Sequence, residues 1–289
     1  MTNSVPAWRA PLTAIGLLGS YRVLSSVLIA APLLFALRAS GAGAAPLGDA
    51  PLFEPGALVL SEVLRQNSAA LFAACETACV IFGVCAVLGL IPLAAAIDAL
   101  SEPGRPRLAE RLTVGVRAFP GFLALSGIAL LTQGALLLGA SIVGSTLSAA
   151  FRNGDERWGT LAPIFSLIVG ALGAGCCTAV LDLARVSLLQ RNQGAREALL
   201  DALARVRDRG TELLLGYYPN LAGNLFAVAV AAWLVGRADL SRAAAGPLVL
   251  AFAAHQLAVF FGIGLRVRFL GLARDIALEG APPDSEDST

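Results

Sequence analysis

Long apolar runs separated by short polar segments dominate the chain. Six runs stand out, at about 14–37, 68–97, 114–139, 161–189, 213–236 and 244–270. Each is long enough to cross a hydrocarbon core of about 30 Å, which takes roughly 20 helical residues. The clearest is Leu161–Leu189, interrupted late by Asp182 and Arg185 and followed by Arg191, Arg196, Arg205, Arg207 and Arg209. The pattern predicts an all-α, polytopic helical membrane bundle of six transmembrane helices, one domain over residues 1–279.

Between the fourth and fifth runs, residues 195–209 read as an amphipathic helix. Ala195, Ala198, Leu199, Ala202, Leu203 and Val206 keep a helical period, while Arg196, Glu197, Asp201, Arg205 and Asp208 take the other face. Gly194 and Gly210 bracket it as breakers, and Thr211 is placed to cap the next span. Arg196, Arg205, Arg207 and Arg209 make it a candidate docking surface for a partner protein or anionic lipid, or a connecting helix resting on the bundle. Residues 38–67 form the longest connection: Ala39–Pro55 is rich in Gly, Ala and Pro, and Leu58–Arg65 suits a short interfacial helix. The acidic tail 280–289 has the composition of a disordered segment.

Composition agrees with the pattern. Of 289 residues 57% are hydrophobic and only 14% charged, too few charges to coat a soluble domain of this size. All 21 basic residues are arginine, as expected of a GC-rich bacterial genome. Thirteen fall at the N-terminus, after the second and fourth runs and at the C-terminal end, against six in the alternate connections. That asymmetry predicts cytoplasmic N- and C-termini in a bacterial inner membrane. The first run is too long for the apolar region of a cleaved signal and is read as an uncleaved span. Cys75, Cys79, Cys85, Cys176 and Cys177 all lie in apolar runs and do not form a disulfide framework. Cys75 and Cys79 are one helical turn apart, a spacing open to a shared metal, but small apolar packing accounts for it more simply and no metal is assigned.

Polar residues inside the spans are the candidates for chemistry. An acidic side chain facing lipid costs on the order of 2.5–3.5 kcal/mol by insertion scales. Glu76, Gln133 and His255, the only histidine, are therefore expected to face the bundle or water, and could converge on one polar pocket. Such a trio suits proton titration, solute binding or a hydrogen-bond clasp between helices. Asp182 and Arg185, three residues apart, form a candidate structural ion pair. Asn220 and Asn224 share a face just after Pro219, where a bend can shape a cavity. Gly170/Ala174, Ala171/Gly175 and Ala227/Ala231 offer small-xxx-small contact faces. The sequence has no GxxxxGK[ST], HExxH or GxSxG motif, no paired metal-binding histidines and no basic tract suited to nucleic acid.

Leu181-Asp182-Leu-Ala-Arg185-Val186, the basic helix behind it, and His255-Gln256…Arg266…Arg268-Phe-Leu-Gly-Leu-Ala273-Arg274 resemble a group of uncharacterised bacterial six-span integral membrane proteins. Leu18-Gly-Ser-Tyr-Arg22 and Pro32…Leu37-Arg38 share that likeness. More distantly the chain resembles the membrane domain attached to some glycerophosphodiester phosphodiesterases. The resemblance implies a helical bundle with no established activity, and the catalytic domain of those enzymes has no counterpart here. The expected function is a non-enzymatic membrane component, a scaffold or subunit that docks a partner through its basic cytoplasmic face, without a cofactor. The alternative is a small-solute transporter or permease with Glu76, Gln133 and His255 lining the path.

Overall fold

A computed structural model of the chain describes residues 9–39, 65–101, 108–151, 156–237 and 245–278. Its helices are α1 (Arg9–Ala39), α2 (Ser68–Leu88), α3 (Leu90–Ser101), α4 (Leu108–Phe151), α5 (Glu156–Arg191), α6 (Ala195–Arg237) and α7 (Ala245–Leu278). α2 and α3 continue one another through Gly89, so six helices are long and apolar enough to cross a membrane. They mark a multi-pass membrane protein. The interfacial stretch expected before Arg65, Arg105 and Arg107, and the tail from Gly280 lie outside the described residues.

The break at Gly89 has a local cause. Pro92 has no N–H to donate back to the preceding turn, which weakens the helix there. The Gly89 N–H still reaches the Cys85 carbonyl at 2.8 Å, and the Tyr21 hydroxyl of α1 donates to the same oxygen. The junction is thereby tied to α1.

Every span runs past its predicted bounds, α4 and α6 furthest. α4 has 44 residues, about 66 Å at 1.5 Å per residue. Beyond residue 139 its polar side chains turn back onto their own backbone: Ser145 and Thr146 donate to the Ile142 carbonyl at 2.9 and 3.0 Å. Such bonds let hydroxyls ride on a helix although they dilute its apolar signal. In α6 the amphipathic segment and the fifth span form one element bent at Arg209, whose φ of −127° and ψ of 22° leave the helical range. Gly210 stands at that bend.

α4 lies along α5, α6 along α7, and α1 along α2 and α3. Helix ends meeting at one end, here called proximal, are fixed by bonds between connections. Gln190 donates to Ser101 at 2.7 Å, Arg191 to the Ala277 carbonyl at 3.3 Å and Arg205 to the Ile276 carbonyl at 2.7 Å. The core is concentrated there, with Ala14, Ala94, Ile97, Phe122, Leu183, Val186, Leu213, Phe269 and Ile276 all nearly inaccessible. Small residues bring the helices close. A Cβ on Gly115 would lie 2.5 Å from the Ile91 carbonyl oxygen, and one on Gly170 would lie 2.6 Å from the Ala140 Cβ. Ala231 packs with Ala254 and Ala258, and Ala227 beside it, so that predicted small-residue face is used. Ala171, by contrast, is exposed. Toward the distal end large apolar side chains turn outward, Leu130 at 76% and Phe226 at 72% exposure. A surface this apolar belongs against lipid rather than water.

Candidate functional site

Asp182, at the proximal end of α5, is fully buried. Its Oδ1 accepts from Arg185 Nη1 at 2.9 Å and from Arg266 Nη2 of α7 at 2.7 Å, while Arg266 Nη1 stands 2.7 Å from Oδ2. Arg185 also donates to the Ser126 hydroxyl of α4 at 2.8 Å. The i, i+3 spacing predicts the Asp182–Arg185 pair, and the structure adds Arg266 as a second cation on the same carboxylate. One charge in three cannot cancel two, so the group carries an excess positive charge.

That excess faces a cavity of about 1100 Å³, just above the range of about 300–1,000 Å³ typical of small-ligand sites. Its walls come from α1, α2 and α3, α6 and α7, with Arg185 of α5 at the base. The lining runs over Leu18–Ile29, Phe82–Leu93, Asn224–Val235 and His255–Arg266. Each segment ends eleven residues from where it starts, so the four walls share a depth of roughly 17 Å. Arg185 and Arg266 mark the proximal end, and Ile29, Phe82, Val235 and His255 the distal end. Arg22 of α1 is also in the lining. Its backbone carbonyl accepts from Ser25 and Ser26, whereas its guanidinium has no partner among the described residues. Asn224 reaches across to α7, where its side-chain oxygen fills the space a Cβ on Gly262 would need.

The three polar residues expected to converge do not meet. Gln133 donates to the Thr178 hydroxyl at 2.8 Å, clasping α4 to α5. Glu76 is exposed on α2 and outside the cavity lining, while His255 lines the cavity at its distal end. Depth along a helix is readable from hydropathy, but the direction a residue faces depends on which helices are neighbours. α4 neighbours α3, α5 and α6 rather than α2 or α7.

The docking arginines separate likewise. Arg205 pairs with Asp201 at 3.1 Å and satisfies the Ile276 carbonyl at the end of α7, and Arg209 pairs with Glu212. Both are held internally. Arg196 and Arg207 are exposed, and between them Leu200 and Leu203 also face outward. Leu203 thus leaves the inward face its period assigns it, which Ala198 and Ala202 occupy instead.

Arg22 and Arg266 are the residues sequence reasoning did not place in a site. Arg266 counts among the basic residues of one membrane side, and Arg22 stands out only as a charge eight positions inside an apolar run. That position was the available signal. All five cysteines are free, and among the described residues no group of three or more His, Cys, Asp or Glu could hold a metal ion. Compared with protein-family models, with curated proteins and with solved structures, the chain matches none.

Proposed function

We propose that the chain is a bacterial inner-membrane protein with cytoplasmic termini that binds a ligand within its bundle, as a permease or ligand-carrying membrane component and not as an enzyme. The observation that carries this reading is the Arg22 guanidinium, without a partner among the described residues, in the wall of a large, polar-based cavity. It takes up the permease alternative but moves its site: Arg22, Arg185, Arg266, Asn224 and His255 replace the Glu76/Gln133/His255 trio. The proximal end is the cytoplasmic one in this reading, because the arginine-rich connections gather there.

Thiol accessibility tests the cavity. In a cysteine-free background, Ser26→Cys is expected to react with a polar maleimide, and Ala232→Trp is expected to fill the space and block the reaction. Absence of labelling in the folded protein would sink the reading.

A second reading, docking of a partner, rests on the stripe Arg196–Leu200–Leu203–Arg207, exposed at helical spacing on α6. Charge reversal at Arg196 and Arg207 is expected to release a co-purifying subunit if this surface holds one. An unchanged complex would dismiss it.

A further inference from the structure

The charges and the walls of the cavity differ in a way that identifies what fits it. Arg185 and Arg266 each stand four residues inside the end of their apolar run, and Arg22 eight residues inside the start of its own. These offsets correspond to roughly 6 Å and 12 Å of membrane depth. From that level the cavity continues distally between mostly apolar side chains, among them Ile29, Phe82, Val228, Val235 and Val259. Above Arg22 the α1 wall rises seven residues to Ile29, roughly 10 Å, a length that the acyl chains of one leaflet, half of a core of about 30 Å, can fill. α1 and α6 both line the cavity without packing along one another, which leaves a lateral way in from the bilayer.

We infer that the cavity holds one anionic phospholipid of the proximal leaflet, its phosphate on the Arg22 guanidinium in the positive field of the Arg185–Asp182–Arg266 group and an acyl chain along the apolar wall. Three guanidiniums against the single carboxylate of Asp182 leave two positive charges, one of which a phosphodiester neutralises. The Arg22 fork suits phosphate oxygens, while Arg185 and Arg266, whose Nη atoms are held by Asp182 and Ser126, add positive charge at the base; basic pockets between transmembrane helices are a recurrent place for anionic headgroups. Arg22, without a counter-ion among the described residues, is costly this deep in an apolar segment, and a bound phosphate removes that cost. The head-down, tail-up order of charge and apolar wall is the order of a lipid in that leaflet. A small soluble anion would use the base and leave the wall empty.

This inference rests on the cavity being a binding site, so the experiment separates the two. The purified full-length protein in neutral detergent is titrated with dioleoyl phosphatidylglycerol, dioleoyl phosphatidylcholine and inorganic phosphate, with bound species counted by native mass spectrometry. Phosphatidylglycerol is expected to bind at least tenfold more tightly than phosphatidylcholine. Arg22→Gln is expected to abolish that preference without lowering thermal stability, while Arg117→Gln, on an exposed face of α4 outside the cavity, retains it. A preference that survives Arg22→Gln would mean lipid bound at the bundle surface and overturns the inference. Arg22-dependent binding of inorganic phosphate, with no advantage for phosphatidylglycerol, also overturns it but leaves the cavity as a site. If Ser26→Cys is not labelled either, both readings fall together.

Discussion

Replacing Asp182 tests the charged group on which the proximal half is built. The carboxylate is wholly buried, with Arg185 on its own helix and Arg266 from α7 at 2.7–2.9 Å. Removing one member of a buried ion pair typically costs about 3–5 kcal/mol, because the remaining charge is left uncompensated in a poor solvent. Here two cations would be left. Arg185 is held with its side chain only 11% exposed, whereas Arg266 at 32% can turn toward the cavity. Arg185 therefore sets most of the loss. Asp182→Asn keeps the volume and an acceptor oxygen and is expected to cost about 3 kcal/mol, with Asp182→Leu nearer 5 kcal/mol. Removing both charges in Asp182→Leu/Arg185→Met should recover at least 1 kcal/mol of the single-variant loss, since paired burial of charge is close to neutral against apolar packing. Unfolding in mixed micelles with increasing denaturing detergent, followed by circular dichroism, gives these differences. An Asp182→Asn protein within about 1 kcal/mol of the parent, or a double variant no better than Asp182→Leu, would refute the argument.

Other perturbations test particular contacts. Gly115→Ala places a methyl 2.5 Å from the Ile91 carbonyl, and should cost about 1–3 kcal/mol through displacement of α3 from α4, read in the same unfolding assay. Gln133→Leu breaks the clasp to Thr178; a loss of about 0.6–1.7 kcal/mol is expected, with lipid binding by native mass spectrometry unaltered. Arg205→Ala uncovers the Ile276 carbonyl and the Asp201 carboxylate, so hydrogen exchange at the end of α7 should accelerate at least tenfold while α4 is unaffected. Glu76→Gln, on an outward face of α2, should leave ligand binding unchanged; a loss of binding would return Glu76 to the site.

The long apolar runs made the spans legible, because bilayer thickness and helical rise together set how many residues must be apolar. Gly210 was legible as a breaker and stands where α6 bends, while Gly194 precedes the start of that helix. The extension of α4 to Phe151 was not legible, since Ser145 and Thr146 lower hydropathy while keeping helical hydrogen bonds. Asp182 with Arg185 is a local pair and could be read from spacing. Arg266 joins them from another helix, and no short window of sequence contains that relation. The same limit applies to Arg22 and His255, which share a cavity only because α1 and α7 both flank it.

The separation between Asp182 and Arg266 also orders the making of the protein. Arg266 lies 84 residues after Asp182, an interval of roughly 4–17 s at translation rates of about 5–20 residues per second. During that time α5 has left the ribosome and α7 has not, so the carboxylate lacks one of its two cations. Arg185, three residues on in the same helix, is synthesised almost together with Asp182 and partners it through that interval. The nascent α5 can thus enter the bilayer with its acidic charge already neutralised, and the arrival of α7 closes the assembly.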